Sequence, residues 1–484
     1  MNTLAQLNPQ PLFNYFEAIC QVPRPSKKEE QIRKFLLDFA EKNGLESKTD
    51  KAGNVLILKP ATPGMENAPT VILQTHMDMV CEKNSDKVFD FDKDPIEPII
   101  VDGWVKAKGT TLGADCGIGI AGQMAVLTSD KIKHGPIECL ITVDEETGLT
   151  GAFELEAGFL TGSILLNLDS EDEGEIFIGC AGGVDTLAYF DYQPESTPEG
   201  AVALKISVSG LLGGHSGDDI HKNRGNANKI LNRLLWNFSN EFDLRLSDFN
   251  GGNLRNAIAR EAYGIVTVPS NQKEALAEAF NKLDAAIKNE FEFSEPKLKI
   301  ECSETELPTS VIDKETQEKL LNAIYACPHG VLEMSTRMEG MVETSTNLAS
   351  VKFTTDSKIQ VTTSQRSELE SRKHFAANSI EAVFRLAGAT VKHSDGYPGW
   401  APNPNSPVLK TTVDSYKKLF GVEPIVRSIH AGLECGLFLE KYPHLDMVSF
   451  GPTIKGAHSP DERLDIETTD KFWKHLVDVL ENIQ

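Results

Sequence analysis

Three short apolar runs in this chain each end in side chains that can bind a metal ion. Val71-Ile72-Leu73 leads into Thr75-His76-Met77-Asp78, Ile137 to Val143 leads into Asp144-Glu145-Glu146, and Ser163 to Leu168 leads into Asp169. Brief apolar runs rich in branched residues read as buried central strands. The carboxyl ends of such strands are where open α/β sheets bind ligands. His76 and Asp78, two positions apart, share one face of an extended strand. A histidine binds a metal through a neutral ring nitrogen, and a nearby carboxylate fixes which nitrogen that is. His76 therefore reads as a ligand and Asp78 as its support. The consecutive acids at 144–146 repel one another unless cations offset them; the plain alternative is a surface turn.

Two further loops complete the set. Gly109-Thr110-Thr111-Leu112-Gly113-Ala114-Asp115-Cys116-Gly117 surrounds one carboxylate with glycines and runs into a helix predicted from Cys116 to Leu127. An aspartate there is an ordinary N-cap, although glycine density also lets backbone pack closely around whatever Asp115 holds. Met447 to Phe450 reads as another short strand, followed by the Gly-rich loop that carries His458. His76, Asp115, Glu146, Asp169 and His458 make two imidazoles and three carboxylates, a mixed set that suits zinc, cobalt or manganese. Five ligands exceed the needs of one catalytic zinc and match two ions sharing a carboxylate. Glu145, adjacent to a ligand, is left as the general base.

A chain of 484 residues exceeds what one core usually serves. Helices are predicted over Pro11 to Cys20 and, started by Ser26 and stopped by Gly44, over Lys27 to Asn43. Between about 185 and 395 the texture changes to alternating strands (Ala203 to Ser209, Ser357 to Ser364) and amphipathic helices (Lys273 to Phe291, Arg372 to Leu386), as in an α+β domain with a half-exposed antiparallel sheet. The expected architecture is an α/β catalytic domain built from 1–184 and 396–484, with the domain 185–395 inserted. Asn253-Leu254 with Asn347-Leu348, Ile265 with Ile359 and Ser270 with Ser364 share one offset and hint at a duplication inside the insert. The formal charge of -23 repels nucleic acid and anionic membrane, so neither is an expected partner. Eight cysteines without CxxC pairs, the lack of a signal-like N-terminus and of any apolar run near 18 residues point to a cytoplasmic protein.

The order His76-x-Asp78, Asp115, Glu145-Glu146, Asp169, His458 resembles the co-catalytic zinc aminoacylase and carboxypeptidase G family. The stretches FEAICQVPRPSKKEEQI, GGHSGDDIHKNRGNANK and SIHAGLECG resemble its bacterial cytosolic dipeptidases, and Asp rather than Glu at 169 fits the dipeptidase and aminopeptidase side of the family. The resemblance implies a two-domain di-zinc exopeptidase: a mixed sheet with flanking helices plus an inserted α+β lid and dimerisation domain. It implies one zinc on His76 and Asp169, the other on Glu146 and His458, Asp115 bridging them before a cis peptide bond, and Co2+ or Mn2+ able to substitute. It also implies dipeptide substrates, Xaa-His such as β-alanyl-histidine among them, and a homodimer. On the insert, His215 is expected to stabilise the oxyanion on lid closure. Asn256, Arg366 and a backbone N–H of Gly432 are expected to hold the peptide carboxylate; an arginine on a strand also serves as a surface ion pair. An N-acyl amino acid deacylase or a carboxypeptidase on the same scaffold would share every ligand and differ in its pocket.

Overall fold

The computed structural model describes residues 4–483. They fall into two compact units. The first runs to Gly179 and resumes over Pro402–Ser428 and from Leu433; the second comprises Cys180–Ala401 and Ile429–Gly432.

Among the described residues, the first unit is built on an eight-stranded mixed sheet. Its order is Glu46–Thr49, Val55–Lys59, Ile137–Thr142, Val71–His76, Ile164–Asn167, Asp446–Ser449, Glu175–Cys180, Ile425–Ile429. The strands that end in metal-competent residues lie side by side and parallel: Val71–His76 sits between Ile137–Thr142 and Ile164–Asn167, and Asp446–Ser449 is parallel to the latter. Val71, Ile72 and Leu73 are buried because helices cover both faces of a parallel sheet. Register does the rest. His76 pairs with Thr142, so Glu145 follows three residues beyond the same edge; Gln74 pairs with Asn167, which puts His76 level with Asp169.

The local predictions need two corrections. The second helix starts at Glu30, not at Lys27 after a Ser26 cap, because Ser26 Oγ donates to Asp78 Oδ2 (2.7 Å) and Lys27 takes a positive φ of 66°. The helix near Asp115 spans Ala114–Thr128 with Gly113 at the N-cap position; Asp115 is non-helical and caps nothing. The Asp115-Cys116 peptide is cis, as the resemblance implied.

The second unit carries, among the described residues, a nine-stranded antiparallel sheet whose halves repeat one topology. One half runs strand Ala201–Ser209, helix Ala227–Glu241, strands Arg245–Gly251 and Ala262–Pro269, helix Lys273–Glu290, strand Lys299–Glu304. The other runs strand Gly182–Asp191, helix Lys314–Ala326, strands Val342–Phe353 and Lys358–Ser367, helix Glu370–Leu386, strand Thr390–His393. The halves meet where Gly251 pairs with Val351, and the first is inserted after the opening strand of the second. The duplication hinted at by the sequence is thus topological. Its single offset is not kept, since Asn253 lies beyond its strand and Asn347 inside the corresponding one.

Leu231, Leu234 and Leu235 pack with Ile206, Phe249 and Val266 in one continuous core. Phe249 is fully buried there, so Phe249→Ala should remove about 3–5 kcal/mol of stability, read as a lowered denaturant midpoint at unchanged slope.

Candidate metal centre

The carboxylate of Asp115 lies between two imidazoles. Its Oδ1 is 3.0 Å from His76 Nε2 and its Oδ2 is 3.2 Å from His458 Nε2. His76 Nε2 is also 3.3 Å from Asp169 Oδ1, and His458 Nε2 is 3.1 Å from Glu146 Oε2. Every sequence-predicted ligand is therefore in one cluster, with donor atoms turned toward one another. Glu145 joins it through His76 and Glu146.

The other ring nitrogen of His76, Nδ1, faces Asp78 Oδ1 at 3.3 Å. Asp78 is fully buried and does more than fix the imidazole: it also accepts the backbone N–H groups of Glu145 (3.0 Å) and Glu146 (3.2 Å). One carboxylate thus orients the imidazole of His76 on one strand and the turn that carries Glu145 and Glu146 on the next. Beneath them a row of polar side chains crosses four strands. Thr142 and Gln74 donate to Glu434 Oε2 (2.8 and 2.6 Å), Asn167 Nδ2 donates to Gln74 (2.5 Å), and Ser449 donates to Asn167.

The donor set fits divalent cations. Crowded acids with no cation must be neutralised by protons, and the pKa shifts follow that pattern. Hydrogen bonds to Asp115 and then Glu146 lift His458 to about 11. Burial alone would lower His76, but Asp169, Asp115 and Asp78 raise it well above its ordinary value. Burial opposes ionisation of Asp115, yet His458 and His76 hold its carboxyl well below the usual range. Burial pushes Glu145 and Asp169 up. Glu146 Oε1 is buried with no hydrogen-bond partner among the described residues, a cost that a cation would relieve. Cys116 lies close by, but its Sγ donates to Leu168 O (3.4 Å) and burial raises its thiol well above the ordinary value. With no cation beside it, that burial favours the neutral thiol over the thiolate.

The remaining predicted residues, His215, Asn256, Arg366 and Gly432, all belong to the second unit. His215 Nδ1 accepts the N–H groups of Gly217 (3.3 Å) and Asp218 (3.2 Å), leaving Nε2 as the ring donor. Asn256 O accepts from Ser216 N (2.8 Å). Arg366 is buried, with Nε on Ser216 Oγ (3.4 Å) and Nη1 on Tyr397 OH (2.9 Å). Among the described residues it has no carboxylate in the ion-pair contacts, so it is not the surface ion pair that a strand arginine could be. Gly432 packs on Tyr397, where an added Cβ would come within 2.8 Å of the ring. The sequence reading missed Tyr397, Glu434, Arg24 and Glu462. A cleft of about 540 Å³ elsewhere on the second unit, lined by Lys205, Arg260 and Lys352, contains none of these groups.

The model of peptidase family M20/M25/M40 matches residues 72–482. The chain belongs to this family. It is an M20-type peptidase, a hydrolase of peptide bonds, and has the mixed-sheet fold with flanking helices that the family shows. The chain is 44% identical over 483 residues to the cytosol non-specific dipeptidase of Escherichia coli (strain K12), covering 100% of this chain and 99% of that one. It is 47% identical to the aminoacylhistidine dipeptidase of Vibrio alginolyticus, whose crystal structure superposes with a TM-score of 0.93 over 99% of this chain and 98% of that one. A Staphylococcus aureus tripeptidase shares the fold at 18% identity and a TM-score of 0.58, over 99% of each chain.

If Asp115 serves two ions, Asp115→Ala should abolish binding of both together, measured by metal analysis of the purified protein. One ion per chain kept at wild-type affinity would show that the carboxylate is not shared.

Proposed function

We propose that this M20 peptidase hydrolyses dipeptides with a pair of divalent cations, zinc by preference and cobalt or manganese in its place. His76 and Asp169 would hold one, Glu146 and His458 the other, and Asp115 both. The observation that carries this reading is the split of the two Asp115 oxygens between the two histidines. Full-length similarity to two dipeptidases supports the substrate class. When bound, such cations acidify water and polarise a carbonyl.

The side chains supply the rest. Glu145 accepts the proton of the attacking water and passes it to the leaving amine. Asp78 keeps the His76 proton on Nδ1 and holds the Glu145 turn in place. Arg366 presents a planar fork to the carboxylate at the end of the peptide, with Tyr397 and Ser216 fixing its orientation. Asn256 and the N–H of Gly432 act on the same group. A fixed carboxylate site admits a single residue after the scissile bond, which a dipeptide satisfies. His215 Nε2–H meets the oxyanion, reached by closure of the inserted domain or from a partner in a homodimer. The setting is cytoplasmic: the E. coli relative is named for the cytosol, and among the described residues no helix is long and apolar enough to cross a membrane.

A panel of free dipeptides, β-alanyl-histidine included, run beside N-acetyl amino acids tests the substrate class; turnover confined to the acetylated compounds would transfer the assignment to a deacylase. Glu145→Gln should lower kcat by on the order of 10² to 10⁴ with metal content unchanged, and loss of metal would make Glu145 a ligand instead of the base. His215→Ala should lower kcat far more than it raises KM, because its contact forms mainly in the transition state. Mixing His215→Ala with Glu145→Gln chains distinguishes the source of the histidine: regained activity means donation across a dimer, none means closure within one chain.

A further inference from the structure

Glu462 lies four residues after His458, in the loop between the paired strands Ile454–Lys455 and Arg463–Asp465. Its carboxylate is buried and accepts four consecutive backbone N–H groups of the Asp115 turn. Leu112 N and Gly113 N donate to Oε2 at 2.7 and 2.9 Å; Ala114 N and Asp115 N donate to Oε1 at 2.7 and 3.4 Å. Glu462 N in turn donates to Ser459 O (3.0 Å), so the loop is closed on itself between His458 and Glu462.

The opposite side of the turn is gripped by a cation. Arg24, also buried, donates through Nη2 to Gly113 O and through Nη1 to Asp78 O (2.8 Å) and Met77 O (3.2 Å). Gly113 makes room for this: its φ is +70°, and a Cβ there would stand 2.5 Å from Arg24 Nη2. The Asp115 turn is thus held by its N–H groups from the C-terminal loop and by a carbonyl from the N-terminal segment.

No helical bond serves those N–H groups: Leu112 and Gly113 precede the helix, and Ala114 and Asp115 open it, where an N–H has no partner one turn back. Buried and unpaired, each would cost as much as a lost hydrogen bond. A second anion beside Asp115 gains nothing from that carboxylate, so its place is explained by the N–H groups it accepts. It also joins two ligands mechanically: the loop that presents His458 to Asp115 Oδ2 is the loop that fixes where Asp115 stands.

We infer that Glu462 is the positioning residue of the metal centre, holding Asp115 and His458 in one unit so that both metal positions depend on it. This rests on Asp115 being the shared ligand. The test is Zn2+ titration of the metal-stripped full chain against a chromophoric chelator, for Glu462→Gln, Glu462→Asp, Asp115→Ala and Glu138→Gln. Glu138 is the control: it is a buried carboxylate that holds Thr161 N and Gly162 N on a turn without a ligand.

Glu462→Gln, which replaces two acceptor oxygens by one and adds a donor, should weaken both zincs by roughly 10- to 100-fold, and Glu138→Gln should weaken neither even where it lowers Tm as much. Should Glu462→Gln fail to fold, Glu462→Asp, shorter by one methylene, should give a smaller loss at both positions. Wild-type affinity at both positions in a folded Glu462 variant, a loss at one position alone, or an equal loss in Glu138→Gln would overturn the inference. Separately, an Asp115→Ala chain that keeps one zinc at full affinity would remove the shared-ligand reading on which the inference rests, whereas its loss of both with an intact Glu462 variant would remove the inference alone.

Discussion

Backbone N–H groups at the ends of strands and helices have no partner inside their own element, and in this protein buried carboxylates take them up. Asp78 holds Glu145 and Glu146, Glu462 holds the turn of Asp115, Glu29 holds Lys27 and Asp144, and Glu138 holds Thr161 and Gly162. A hydrogen bond to an ionised acceptor contributes about 1.5–3 kcal/mol, while removing a charge from water costs several. One carboxylate must therefore collect several donors for the arrangement to be favourable, and each of these does. The result is a set of loops fixed at their backbones. Candidate ligand side chains on such loops keep their separations, which is what a site needs if it is to bind two ions without reorganising.

The same chemistry makes the centre dependent on positive charge. Asp115, Glu146, Asp169 and Glu145 meet in a largely buried cluster, and two imidazoles and shared protons balance them. The excess of acid over base in the whole chain strengthens this demand. Cations would answer it through donor atoms that already face one another.

The strand ends were legible in the sequence because burial on both faces demands short, continuous apolar runs, and the catalytic edge is where such runs stop. The candidate metal residues follow directly from that. Glu462 and Arg24 were not legible: their partners are main-chain groups, which leave no mark on residue identity, and those of Glu462 lie at Leu112 to Asp115. Ser26 misled because a serine before a helical pattern looks like a cap, whereas its hydroxyl is committed to Asp78. Tyr397 was passed over inside a Gly- and Pro-rich stretch, where nothing in the spacing announces a contact with Arg366. The boundary chosen at 396 put Gly432 with the catalytic residues, while the short segment Ile429–Gly432 packs as part of the second unit.

The nested topology of the second unit also orders events during synthesis. Strand Gly182–Asp191 leaves the ribosome early, yet its neighbours are Lys358–Ser367 and Thr390–His393, so it must wait unpaired until the intervening residues have emerged. The inner repeat, Ala201–Ser209 to Lys299–Glu304, finds its partners within its own span and closes first. Strand Ile164–Asn167 waits longer still for Asp446–Ser449. The second unit of a nascent chain therefore assembles from its inner repeat outward, while in the first unit five strands pair within residues 46–167 and the hairpin of His458 arrives last.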